Sequence, residues 1–179
     1  MSVRRAARAY QLAKRYPAAR EALLFVGNIA TFQQEMEPQS PLEALSDLVE
    51  LVLEKGPRPL AEEARALSEA ACRQALEDYL AQKDTSSPRS FFARVLLQPQ
   101  VASKDEMLEA GPTVYRRCPR CGHPPQLSCL RREGEGTALT LACSLCLREW
   151  PFRRALCPAC GESDEKRFAY YSASAMVGL

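Results

Sequence analysis

Histidine is almost missing from this chain: His123 is the only one in 179 residues. A histidine-based triad or a histidine-bound zinc hydrolase therefore has too little to work with. Glycine-rich phosphate loops and nucleophile elbows are also missing, which removes the common nucleotide and acyl-transfer chemistries. No apolar run approaches the ~20 residues that span a bilayer. "EALLFVGNIATF" comes nearest, and its close polar flanks make it a buried helix. Arg4–Arg5 in "SVRRAARAY" is followed by neither an apolar segment nor a small-residue cleavage site, so it reads as a helix start and the chain is expected in the cytoplasm. Strong charge is lacking too. The net value is +2, and residues 112–179 carry ten Lys/Arg against six Asp/Glu. That excess is too small to point to nucleic acid or to an acidic partner.

Cysteine, by contrast, is plentiful. Six of the eight stand in Cys-x-x-Cys pairs: Cys118/Cys121, Cys143/Cys146 and Cys157/Cys160. Without an export signal, this usage argues for metal thiolates over disulfides. In "CPRCG" the turn sets two sulfurs on one ion, and Gly122 accepts the positive φ such a knuckle needs. Cys143 and Cys146 follow after twenty-one residues, the length of a returning β-hairpin. The spacing C-x2-C-x21-C-x2-C predicts one four-thiolate site of Cys118, Cys121, Cys143 and Cys146, with metal–sulfur distances of ~2.3 Å. Zinc and a single iron suit it equally.

The pair Cys157/Cys160 in "CPACG" repeats the knuckle, yet residues 161–179 hold neither cysteine nor histidine. Four readings stay open. The chain lacks a downstream mate, two chains pool their pairs across a homodimer, Cys129 lends a third thiolate, or the pair is metal-free and redox-active. Cys72 reads as a buried helix thiol and Cys129 as small filler in a strand. His123 reads as a turn residue, and Trp150 as apolar bulk for a thin core.

The pattern around these cysteines sets the fold class. Residues 1–97 read as a helical bundle of about five helices, 98–112 as a linker, and 113–179 as a small rubredoxin- or zinc-ribbon-like β domain with an incomplete second module. The whole is α+β. The helices are expected at the N-terminus, at 18–36 with Leu23, Val26, Ala30 and Leu24 or Phe25 facing inward, after Ser40–Pro41, at 59–82, and from Pro88. Ser40 and Glu43 form a capping box, and Leu42, Leu45, Leu48, Val49, Val52 and Leu53 form an apolar stripe. In the second half "TVYRRC", "QLSCLRR", "TALTLAC" and "REWPFRRALC" read as strands, with "EGEG" as a hairpin turn.

The helical half, with "SFFARVLLQP", followed by "CPRCGHPP", "LACSLCLREW" and "CPACG", resembles the formate dehydrogenase accessory protein FdhE family. The resemblance implies a cytoplasmic bacterial assembly factor that binds the catalytic subunit of a molybdenum- or tungsten-dependent formate dehydrogenase. It also implies rubredoxin-like sites that hold iron. Cys118, Cys121, Cys143 and Cys146 fall on the first two family pairs, and Cys157 and Cys160 on the third. The fourth pair has no counterpart here, so the chain is expected to stop partway through the second module.

The resulting expectation is a non-enzymatic maturation factor with no catalytic residues, because four thiolates leave no open coordination position for substrate. Two alternatives compete with it. One is a zinc-ribbon nucleic-acid binder using Arg116, Arg117, Arg120, Arg131, Arg132, Arg153 and Arg154. The other is a rubredoxin-like electron carrier.

Overall fold

The computed structural model describes residues 2–36, 40–101 and 113–168. The chain divides into two compact units, Met1–Val101 and Ala102–Leu179. Six α-helices make up the first among the described residues: α1 (Ser2–Arg15), α2 (Arg20–Glu35), α3 (Leu45–Lys55), α4 (Arg58–Ala66), α5 (Glu69–Leu80) and α6 (Pro88–Val101). The second holds an antiparallel sheet in the order β1 (Pro125–Glu133), β2 (Gly136–Cys143) and β3 (Glu149–Phe152). The α+β class read from the sequence is the one observed. No helix among the described residues is long and apolar enough to cross a membrane.

Alanine spacing governs how α1 packs. Ala6, Ala9 and Ala13 are buried at three- and four-residue intervals, so α1 lies close against α2. Gly27 allows the closest approach, since a Cβ there would stand 2.5 Å from the Tyr10 ring. The Tyr10 hydroxyl then donates to Asn28 Oδ1 at 2.9 Å. Lys14 and Arg15 close α1 with positive charge where the helix dipole favours it.

The opposite side of α2 builds the core. Phe25, Ile29, Phe32 and Met36 follow helical spacing and pack with Leu45, Leu48, Val52, Phe92, Val95 and Leu96. This corrects the inward face expected from the sequence: Val26 and Leu24 are exposed, and Leu53 of α3 is exposed as well. The reason is that α2 serves two neighbours, giving one side to α1 and the other to the core. The capping box forms as expected, with the Ser40 N–H donating to Glu43 Oε2 at 2.9 Å and the Glu43 N–H to Ser40 Oγ at 3.4 Å. It caps a run of turns, and α3 proper starts only at Leu45.

The single helix expected at 59–82 is two helices. Leu67 takes ψ 102°, and Ser68 becomes an N-cap whose Oγ accepts from the Ala71 N–H at 3.2 Å. A serine that caps satisfies a free N–H and stabilises the new helix start by about 1 kcal/mol. Alanine-rich periodicity runs across this break and conceals it.

Helix α6 is enclosed on most sides, burying Ser90, Phe92, Ala93, Val95, Leu96, Leu97 and Gln98. It continues to Val101 through Pro99, inside the stretch read as linker. Proline has no N–H, so the carbonyl four residues back loses its helical partner. That carbonyl belongs to Val95, and the buried Gln33 side chain donates to it at 2.9 Å. Gln33 Nε2 also reaches Gln98 Oε1 at 3.0 Å, and Gln33 Oε1 lies 3.4 Å from Arg5 Nη1, its donor. At the other end, Asp84 accepts from the Ser87 N–H and hydroxyl, and Pro88 occupies the first helical position.

In the sheet unit the hairpin is as expected: Glu133 pairs with Gly136 across Gly134–Glu135, and Gly134 has φ +56°. "TVYRRC" is not a strand. Only Thr113 bridges to Phe152, and its N–H donates to Pro151 O at 3.2 Å. Pro151 is tolerated because β3 is an edge strand. Among the described residues the buried apolar set is small, comprising, besides the cysteines, Leu141, Ala142, Leu145, Trp150 and Phe152.

Candidate metal centre

Two turns carry the site. One precedes β1, and the other follows β2. In the first, the Cys118 N–H donates to His123 O and the Gly122 N–H to Cys118 O, each at 2.9 Å, with Gly122 at φ +75°. In the second, the Cys143 N–H donates to Arg148 O at 2.9 Å, and Leu147 takes φ +58°. Leu147 thus stands at the knuckle position that Gly122 fills in the first turn. Sequence reasoning passed over Leu147. Its place directly after a Cys-x-x-Cys pair was the available signal.

The β1–β2 hairpin returns the second turn to the first. The Cys118 and Cys146 sulfurs lie 3.5 Å apart, and those of Cys121 and Cys143 lie 3.4 Å apart. All four ligand atoms fall within 4.8 Å of one another. A tetrahedral ion with ~2.3 Å bonds to sulfur requires sulfur separations of ~3.8 Å, so the cluster is able to hold a metal ion. Cys118, Cys143 and Cys146 are buried, and Cys121 is half-buried.

The electrostatics agree with that reading of the donor set. Burial alone would raise the Cys118 thiol, but the Cys121 and Arg120 N–H groups outweigh it and hold it below the usual thiol range. Burial pushes Cys143 strongly up and Cys146 up to about 11, and the nearby Cys118 charge adds to both. The Cys118 thiolate is therefore favoured, while Cys143 and Cys146 are held toward the protonated form. A cation is what would let all four sulfurs ionise together.

The other residues singled out from the sequence lie apart from this cluster. Cys72 is fully buried in α5, where desolvation lifts its thiol to about 11. Cys129 is half-buried on β1, opposite Thr140. His123 is buried in the first turn, with Nδ1 3.2 Å from Cys121 O. Trp150 is fully buried, and its Nε1–H donates to Tyr115 O at 2.8 Å.

Cys157 and Cys160 form a third turn with the same backbone pattern. The Cys157 N–H donates to Glu162 O at 2.8 Å, the Gly161 N–H donates to Cys157 O at 2.9 Å, and Gly161 has φ +82°. The N–H groups of Cys160 and Ala159 lower the Cys157 thiol. Among the described residues no third metal-ligating side chain joins this pair. Of the seven arginines on the expected nucleic-acid face, Arg131 is ion-paired to Glu149 and Arg117 donates to Gly122 O.

The fold and the sulfur cluster define a helical bundle followed in the chain by a zinc-ribbon-like thiolate unit. Over 56 residues the chain is 46% identical to the FdhE homolog of Pseudomonas aeruginosa. That match covers 31% of this chain and spans 18% of the relative's length. The crystal structure of FdhE from Pseudomonas aeruginosa aligns with 97% of this chain and 73% of its own, with a TM-score of 0.62 and 22% identity. The structural likeness establishes the fold. No protein-family model matches the chain. The chain is thus similar to FdhE proteins in two ways, locally in sequence and more widely in fold.

Proposed function

We propose that this chain is a non-enzymatic maturation factor for formate dehydrogenase, acting in the cytoplasm on that enzyme's catalytic subunit. In this reading residues 1–101 form the partner-binding helical domain, and the part from residue 113 on forms the metal-binding domain. Cys118, Cys121, Cys143 and Cys146 ligate iron or zinc, and Cys157 and Cys160 are further metal ligands.

The gathering of four sulfurs within 4.8 Å, in a chain similar to FdhE, carries the reading. Four thiolates close the coordination sphere of a tetrahedral ion, which suits a structural or recognition role and leaves no position for a substrate. The ion would act as the staple of a domain whose described residues bury a small apolar set.

The test is retrieval of a defined partner. Tagged chain, expressed in cells making formate dehydrogenase, should co-purify the catalytic subunit, and a Cys118→Ser/Cys143→Ser variant should retrieve less. Failure of the unaltered chain to retrieve that subunit would sink the proposal.

A further inference from the structure

We propose that the exposed patch around the Thr113–Phe152 bridge is a docking surface for an acidic segment of the partner protein. The inference rests on the maturation-factor reading above and adds to it a contact surface in the sheet unit.

The backbone of the patch is tied down along its length. Thr113 donates to Pro151 O through its N–H at 3.2 Å and its hydroxyl at 2.7 Å, and its own carbonyl accepts from the Arg153 N–H at 2.9 Å. Two residues on, the Tyr115 carbonyl accepts from the buried Trp150 Nε1–H at 2.8 Å. The Arg116 guanidinium then packs on Gly161. A segment fixed in this way presents its side chains with little left to order on binding.

What it presents is apolar. Val114 is 61% exposed and Tyr115 is 59% exposed. One exposed apolar residue is ordinary, but a tyrosine and a valine side by side within a charged rim have the composition of an interface centre. Covering them removes their apolar surface from water, which favours association.

Charge names the occupant. Arg116, Arg153 and Arg154 are exposed, and none of the three has an ion pair among the described residues. Glu149 is engaged by Arg131 and Glu162 by Arg167, while Glu133 and Glu135 sit at the β1–β2 turn. The small net charge of the chain therefore conceals a local excess of guanidiniums. A guanidinium meets a carboxylate through two parallel hydrogen bonds, so these three around a Tyr–Val centre select Asp and Glu flanking an apolar residue. Nucleic acid fits less well. Its bases stack on planar side chains, and the patch offers one ring beside an aliphatic valine.

Photo-crosslinking tests this in cells making formate dehydrogenase. Tagged chain carrying Tyr115→p-benzoylphenylalanine, irradiated and analysed by mass spectrometry, should crosslink to a segment of the catalytic subunit rich in Asp and Glu. An Arg153→Glu/Arg154→Glu variant should retrieve that subunit about tenfold less well or worse, because like charges then face each other. Its Trp150 emission should be unchanged, since the backbone bonds of the patch remain. If the unaltered chain retrieves the subunit but the crosslink misses it or lands on a segment without carboxylates, the docking surface is overturned and the maturation reading stands. Full retrieval by the charge-reversed variant overturns it equally. A crosslink to nucleic acid overturns the choice of occupant. Failure of the unaltered chain to retrieve the subunit sinks the reading on which the docking surface rests.

Discussion

The two units of this chain solve the same problem by different means. The helical unit buries a broad apolar cluster running from Phe25 through Phe32, Leu48 and Val52 to Phe92 and Leu96. Among its described residues the sheet unit buries few apolar side chains, and β1 is largely exposed along its length. A core of that size seldom contributes more than ~3–5 kcal/mol, whereas a structural zinc bound by thiolates is worth about 10–16 kcal/mol. The helical unit should therefore respond to core substitutions, and the sheet unit to loss of the ion proposed for its four-sulfur cluster.

The largest effect tests that division outright. Chelation, acidification or Cys143→Ser should unfold the sheet unit while leaving the helices formed. Acid acts because protons compete with the ion for thiolates, so stability is lost as pH falls. Trp150 is the only tryptophan and is fully buried in the sheet unit, so its emission reports that unit alone. The expected signature is a red-shifted emission with the far-ultraviolet helical signal retained. Simultaneous loss of both signals would erase the distinction between the units.

The reverse experiment comes next in size. Phe92 is fully buried in α6, and Phe92→Ala should destabilise the helical unit by ~3–5 kcal/mol. Denaturant unfolding followed by helical signal should move to lower concentration, while the Trp150 transition and metal content stay where they were.

A smaller change sharpens what the helical core contains besides apolar contacts. Gln33→Leu removes the donor to Val95 O, the carbonyl that Pro99 leaves without a helical partner. The unmet acceptor should cost ~1–3 kcal/mol. Pairing this variant with Pro99→Ala should recover much of the loss, because alanine restores the N–H. Absence of recovery would detach Gln33 from the proline.

The smallest effect concerns the second knuckle. Leu147 holds a positive φ, which costs a non-glycine residue ~1–2 kcal/mol. Leu147→Gly relieves that cost but gives up half-buried side-chain surface and adds backbone entropy to the unfolded chain. The net should fall within ~1 kcal/mol of zero with metal content unchanged. A lost ion would show that the leucine side chain, not the backbone turn, supports the site.

What the sequence disclosed and what it hid follow from the range of the interactions involved. The gathering of four sulfurs was legible because two short turns and one hairpin of fixed length bring them together. The Ser40–Glu43 capping box and the Gly134–Glu135 turn were legible for the same reason: each is settled within a few residues. The break at Leu67–Ser68 was hidden, since a single capping serine outweighs a periodicity that runs through it. The inward face of α2 was hidden because the helix divides its surface between α1 on one side and the core on the other. "TVYRRC" has β propensity, but only Thr113 finds a strand to pair with, at Phe152. Neither the packing of Arg116 on Gly161 nor the Gln33–Val95 contact leaves any local mark.

The account stands most directly on the ligands of the ion. X-ray absorption at the metal edge, on anaerobically purified protein, reads those ligands without assuming which metal is present. The account predicts a first shell of four sulfurs at ~2.3 Å and no nitrogen or oxygen. A shell containing light atoms, or protein that keeps Trp150 buried while carrying no ion at all, would contradict it.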